Sequence, residues 1–323
     1  MRLKDKNILV TGAAGFIGSH LTDQLLEEGA IVYGIDNLVS GDLINLEIAL
    51  QNPNFTFKQG DIRDKDFLIS SMKDIDVIFH LAAFTSVKQS IILPEECNNI
   101  NVTGTLNMLE IARKFDVRKF IYSSSAAVYG DTQQLPVGED VPPKPKSPYG
   151  ISKFTAEQYV LLYNQLFGIQ TTALRYFNVF GPRQKLSEYS GVIMIFLENI
   201  KNHRDFIIYG DGNHTRDFIY VSDVVLANIL AYKSSKGGEI YNIATGVETS
   251  IQNLAEMMLE LAHNIKNKII HAKANTGDIV RSCANIDKVR NQLNFQPICK
   301  VREGLRIVMD WYSYGKNRDL RSY

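Results

Sequence analysis

The chain has 323 residues, enough to bury a sizeable core as one large or two intimate domains. Its 35 basic and 35 acidic residues balance, which argues against nucleic acid or an anionic membrane as partner, so any phosphate must be gripped locally. Cys97, Cys283 and Cys299 are too few and too scattered for a disulfide framework or a metal site, and they fit a reducing compartment. No apolar run approaches bilayer length. The polar amino end leads straight into a strand without the look of a signal peptide, so a cytoplasmic location is expected.

In chain order, Ile8 to Thr11 is an apolar run that reads as a buried strand. It leads at once into Gly12-Ala-Ala-Gly15-Phe16-Ile17-Gly18. A helical pattern follows, with Leu21, Leu25 and Leu26 on one side, and Gly29 ends it. Ile31 to Asp36 is the next strand, with a carboxylate at its tip. Glycines let the backbone turn tightly and approach a pyrophosphate, whose charge meets the amides at a helix amino end. Asp36 would accept hydrogen bonds from the adenosine ribose and repel a 2′-phosphate, so NAD is expected over NADP. The glycine spacing is G-x-x-G-x-x-G, not the commoner G-x-G-x-x-G. The strands, the helix and the acid about 20 residues on make the dinucleotide reading.

Phe55 to Gln59 is a further strand, ending at Gly60-Asp61-Ile62, where Asp61 could receive the adenine amino group and Ile62 pack on its face. Val77 to Ala83 is an apolar strand whose small end leaves room for a ligand, and His80 within it reads as a satisfied core residue. A helix from Asn101 through Ala112 precedes the strand that runs from Lys119 into Ser123 and Ser125. Pro148 is a plausible helix start, and Tyr149 and Lys153, four apart, then share one helix face. A phenol holds its proton to about pH 10, and a nearby ammonium or a cationic cofactor ring favours the phenolate, making Tyr149 a candidate base. Ser125 could donate to the same substrate oxygen. An exposed Tyr/Lys pair gives the same spacing, so this motif alone does not decide.

Thr171 to Arg175 completes a strand and helix alternation that argues for a doubly wound parallel α/β sheet, with ligands beyond the strands' carboxyl ends. Near residue 177 the rhythm changes. The expected division is a cofactor part over 1–177, with 217–245 returning to it, and a second part from 178–216 and 246–323. Ile251 to His263 and Val301 to Tyr312 read as amphipathic helices.

Thr11-Gly-Ala-Ala-Gly-Phe-Ile-Gly18, Asp61, His80-Leu-Ala-Ala83, Asn101, the serines before Val128-Tyr129-Gly130, Tyr149-x-x-x-Lys153, Leu174-Arg-Tyr-Phe-Asn178 and Arg216-Asp217-Phe218 together resemble the extended short-chain dehydrogenase/reductases. These are nucleotide-sugar epimerases and dehydratases that keep NAD bound on a Rossmann sheet. The match runs the length of the chain in order. The resemblance implies Ser125, Tyr149 and Lys153 as the catalytic set. It implies an NAD site of Gly12, Gly15, Phe16, Ile17, Gly18, Asp36, Asn37, Asp61, Ile62, Leu81, Ala82, Ala83, Asn101, Ser123, Tyr149, Lys153 and Tyr176.

Dehydratases of this kind carry an Asp-Glu pair after the catalytic Ser/Thr, and Ala126-Ala127 stands there instead. The chain therefore resembles the UDP-sugar 4-epimerases. For the substrate, the resemblance implies Ser86, Ser125, Ala126 and Tyr149 around the sugar, with Asn178 on the diphosphate-sugar. Val192 and Tyr209 would frame the uracil, and Arg216 would reach phosphate, its alternative being a surface ion pair with Asp217. Asp278, Arg281 and Ser282 lie on the nucleotide loop, and Asn275-Thr276 stand where some epimerases place a cation, leaving Arg281 as phosphate partner. Ser282, five after Gly277, falls at the family's gatekeeping position; a small residue there leaves room for an acetamido group. The chain is thus expected to accept UDP-GlcNAc/UDP-GalNAc, with UDP-Glc/UDP-Gal as a second pair that it could take. Alternatives are the unacetylated pair only, UDP-glucuronate epimerisation or decarboxylation, or a non-catalytic NAD-binding protein. Apolar residues Met108, Leu109, Tyr159, Leu162 and Leu166 on the helices near 100–114 and 150–167 imply a homodimer through a four-helix bundle, with core packing as the other reading.

Overall fold

The structure, a computed structural model, describes residues 3–72, 74–185, 191–263, 266–274 and 279–314. Its strands are β1 (Asn7–Thr11), β2 (Ile31–Asp36), β3 (Phe55–Gln59), β4 (Val77–His80), β5 (Lys119–Ser125), β6 (Gln170–Tyr176), β7 (Asn178–Phe180), β8 (Phe206–Tyr209), β9 (Thr215–Tyr220), β10 (Glu239–Ile243), β11 (Glu248–Ser250) and β12 (Ile269–Ala272). Seven of them form one sheet in the order β10-β6-β5-β4-β1-β2-β3, all parallel. Strands this apolar must be covered on both faces. Ile8, Val10, Phe79, Ile121 and Leu174 face one buried cluster, while Leu9, Ile78, Phe120 and Ala173 face another. The period of two divides each strand between them.

The helix Pro148–Phe167 follows from its ends. Ser147 caps it by accepting from the Gly150 amide, Pro148 opens it, and Gly168 closes it at φ 70°. Ahead of it, Asn99–Gly104 winds as a π-turn into the helix Thr105–Lys114. Such turns aim side chains that a regular helix would not.

The second part surrounds a third core, in which Phe180, Phe218, Leu254 and Val308 pack and the Phe196 and Phe206 rings stack at 4.2 Å between centroids. Each such buried side chain contributes about 1.5–3 kcal/mol. Residues 239–243 do return to the main sheet as its edge strand, but Thr215–Tyr220 does not. It forms a separate sheet in the order β11-β9-β7, because Phe218 and Tyr220 are needed by the third core. The helix Val221–Lys233 then packs back on the main sheet through Val224, Ala227 and Ala231. Met108 and Leu109 are fully buried within the second cluster, so they are core and not an outer face. Leu162 and Leu166 are exposed, together with Ile151 and Phe167. Among the described residues, no helix is long and apolar enough to cross a membrane.

Candidate active site

The site forms where the parallel strands end. Gly12 takes φ +71°, and a methyl there would stand 2.8 Å from the Ala82 amide, so the β1 turn and the end of β4 touch backbone to backbone. The helix Phe16–Glu27 starts at Gly15 with no side chain capping it among the described residues. Its first-turn amides and positive dipole end are therefore available to an anion. This glycine-walled, uncapped helix end fits the diphosphate of a dinucleotide.

Asp36 is buried, and its carboxylate accepts from the amides of Ala14 (3.0 Å) and Leu38 (2.8 Å), tying the glycine loop to the end of β2. Burial pushes its pKa up, and those amides pull against it. Asn37 donates to Asp61 at 2.9 Å, and Arg63 grips the same carboxylate with a fork at 2.9 and 2.7 Å, holding the Asp61 pKa down at about 2. Ile62 is buried against Gly104.

His80 proves to be a core bridge. Thr105 Oγ1 donates to the Asn101 carbonyl, so it accepts from His80 Nε2 at 3.0 Å; His80 Nδ1 in turn meets Thr11 Oγ1 at 2.7 Å. Burial, with the Lys153 ammonium nearby, lowers the His80 pKa from 6.5 to about 3. The folded protein keeps this ring neutral, whereas the unfolded chain protonates it below about pH 6.5. The stability His80 confers is thus present above about pH 6.5 and is lost as pH falls toward 3, by about 1.4 kcal/mol per pH unit. Urea denaturation across that range should show a shallower decline for His80→Gln than for the wild type; equal slopes would refute the assignment.

The catalytic candidates meet at the end of β5. Ser125 adopts extended backbone, accepts the Ala127 amide at 3.2 Å and starts the short turn Ala126–Val128. Its hydroxyl lies beside the Tyr149 phenol and lowers the phenol's pKa, but burial outweighs this and raises it. Lys153 is buried, donates to the Ser123 carbonyl at 2.8 Å and lies 5.1 Å from the centre of the Tyr122 ring. Burial brings its pKa from 10.5 to about 7. The expected pull of Lys153 on the phenol is therefore not the leading influence. The dominant effect on both groups is removal from water, which favours each in its neutral form.

Around this pair stand Asn101 and Ser86, which the motifs name, and Ser152 and Ser90, which motif reading passes over. Asn101, placed by the π-turn, accepts from the Phe84 amide (2.8 Å) and donates to Ser152 Oγ (2.9 Å), and Ser152 donates to the Tyr149 carbonyl (2.8 Å). Asn101 so joins the loop after β4, which carries Leu81, Ala82 and Ala83, to the Tyr149 helix. Ser86 caps the helix Val87–Ile92, and Ser90 on that helix accepts the Tyr149 amide at 3.1 Å. Partners 51 and 59 residues away leave no local signature in a sequence.

The remaining candidates spread over the second part. Tyr176, opposite Ser125 in the β5/β6 register, hydrogen-bonds Asn228 inside the core. Asn178 is exposed and pairs with Phe218. Val192 opens the helix Val192–Lys201, and Tyr209 is 49 % exposed at the end of β8. Arg216 donates to the Ile279 carbonyl at 2.8 Å. Asp217 is fully buried and accepts from Thr245, Gly246 and Ala284, so an Arg216–Asp217 surface ion pair is ruled out. Arg281 makes an exposed fork with Glu248 at 3.1 and 2.6 Å, and Ser282 next to it is half-buried. Asp278, with Asn275 and Thr276, lies outside the described residues.

Comparison with known proteins agrees with this geometry. The model of the NAD dependent epimerase/dehydratase family matches residues 8–244. A putative UDP-glucose 4-epimerase of Methanocaldococcus jannaschii is 42% identical over 308 residues, 94% of this chain and 97% of that protein. The UDP-N-acetylglucosamine 4-epimerase of Methanobrevibacter ruminantium M1, solved with UDP-N-acetylmuramic acid, superposes with a TM-score of 0.92 at 38% identity, covering 96% of this chain and 99% of that one. The UDP-glucose 4-epimerase of Thermus thermophilus, solved with NAD, gives 0.87 at 34% identity, covering 95% and 99%.

Proposed function

Since the chain belongs to the NAD dependent epimerase/dehydratase family, we propose that it is an isomerase inverting C4 of UDP-sugars, UDP-GlcNAc/UDP-GalNAc first and UDP-Glc/UDP-Gal second. The observation that carries the reading is the juxtaposition of Ser125 and Tyr149, with Lys153 one turn on, at the same end of the parallel sheet as an uncapped glycine helix end. Gly12, Gly15 and Gly18 would hold the diphosphate of NAD, Asp36 and Asn37 the adenosine ribose, and Lys153 and Ser123 would line the nicotinamide side. Bound there, NAD supplies reversible hydride exchange at the sugar C4.

Tyr149 as phenolate takes the proton of the sugar 4-hydroxyl, and Ser125 holds the same oxygen. The 4-keto sugar turns over in the pocket, and Tyr149 returns the proton to the C4 oxygen as the inverted alcohol forms. No net oxidation occurs. Ala126 and Ala127 cannot move protons, which separates this site from a dehydratase. The catalytic set also argues against a non-catalytic NAD protein, which has no need of a proton-transfer pair.

Ser282 supports the N-acetyl reading, since its small side chain leaves volume at C2, as does the named activity of the Methanobrevibacter relative. The Methanocaldococcus relative favours the unacetylated pair as second reading. Incubation with UDP-GlcNAc, UDP-Glc and UDP-glucuronate, followed by product analysis and kcat/KM, decides among them. Ser282→Tyr should depress the N-acetyl activity more than the other, by about 10- to 200-fold in the ratio of kcat/KM. A wild type strongly preferring the unacetylated pair would overturn the assignment. We infer also a cytoplasmic homodimer joined through a four-helix bundle, for which Leu162 and Leu166 are the exposed apolar residues.

A further inference from the structure

Three consecutive serines at the end of β5 address the helix Pro148–Phe167. The Ser123 carbonyl accepts from Lys153 at 2.8 Å, Ser124 Oγ donates to Glu157 Oε2 at 2.7 Å, and the Ser125 hydroxyl lies beside the Tyr149 phenol. Tyr149, Lys153 and Glu157 follow one another at intervals of four and so lie on one face. Glu157 has no exposed surface. Its carboxylate also receives a fork from Arg175, Nε to Oε2 at 3.0 Å and Nη2 to Oε1 at 2.6 Å. Arg175, itself 2% exposed, stands opposite Ser124 in the β5/β6 register and is seated 4.7 Å from the centre of the Tyr129 ring.

A buried ion pair is a poor source of stability, because apolar side chains of similar volume do as well or better. What the forked geometry does supply is register, since a planar guanidinium holds a carboxylate in one orientation. We propose that Glu157, through Ser124 and Arg175, is a positioning residue that fixes where the Tyr149–Lys153 helix sits along β5. Ser124 lies between the two serines that Lys153 and Tyr149 touch. Any slide that separates Tyr149 from Ser125 must therefore also break the Glu157 bonds. Glu157 touches neither substrate nor cofactor; its effect passes through the helix. The inference rests on the functional reading above.

In the full-length, NAD-loaded enzyme, Glu157→Gln should lower kcat about 10- to 100-fold with KM and NAD content little changed. The isotope effect on kcat with C4-deuterated UDP-sugar should rise as hydride transfer becomes limiting. Ser124→Ala leaves the Arg175 fork intact and should give a smaller loss of the same kind, restored by Ser124→Thr; this pair decides if Glu157→Gln fails to fold. Wild-type kcat and isotope effect in the variants overturn the proposal, as does a loss that merely tracks NAD content or melting temperature. An inactive wild type overturns the functional reading and this inference with it, whereas an active wild type with indifferent variants overturns this inference alone.

Discussion

Tyr149→Phe is expected to lower kcat by about 10²–10⁴-fold, the usual contribution of a positioned acid–base group, while NAD stays bound. The substitution keeps the ring and its packing and removes only the group that exchanges a proton. Ser125 cannot take over, because an aliphatic alcohol is far more reluctant to ionise than a phenol. Burial also raises the Tyr149 phenol, so its ionisation depends on positive charge brought beside it. The measurement is steady-state turnover alongside bound-NAD content and melting temperature. Turnover within a few-fold of wild type would sink the mechanism; loss of both turnover and cofactor would show that the residue is structural.

Gly18→Ala should empty the cofactor site and weaken the fold. Helix propensity alone argues the other way, since alanine is favoured over glycine by about 1 kcal/mol inside a helix. Geometry outweighs it. A methyl on Gly18 overlaps the Gly12 carbonyl oxygen and approaches Ala13 Cα to 3.2 Å. Both obstacles are backbone, which cannot swing aside, so the cost exceeds the gain, at about 1–3 kcal/mol or more for overpacking. The same carbonyl belongs to the turn that must admit the diphosphate. Purified Gly18→Ala should thus carry little NAD and melt below the wild type; a stable, NAD-replete variant would contradict the role given to this turn.

Much of this was legible in the residues, and for identifiable reasons. Fully apolar strands such as Val77 to Phe79, set between helices, specify a sheet covered on both sides. The glycine turn and the Tyr149/Lys153 spacing are local, so their meaning survives without a third dimension. The placement of Thr215–Tyr220 was not legible, because alternation marks a strand but not its sheet. Nor was Arg216's grip on a carbonyl 63 residues away. Met108 and Leu109 illustrate the same limit, since an apolar helix face does not say which neighbour will cover it. Glu157 could have been found by extending the stripe of Tyr149 and Lys153 one further turn, but a glutamate there reads as solvent-facing until Arg175 is seen beside it.

The edge strand β10 is drawn from residues 239–243, after the chain has already laid down β7, β8 and β9. No uninterrupted stretch of this polypeptide therefore contains the whole parallel sheet without β7, β8 and β9, which belong to other sheets. Exchanging the part around the third core for another while keeping the main sheet would need three splice junctions, since that core draws on residues both before and after β10, so recombination at a single point cannot re-address the enzyme to a new sugar. Change in what it accepts is left to point substitutions.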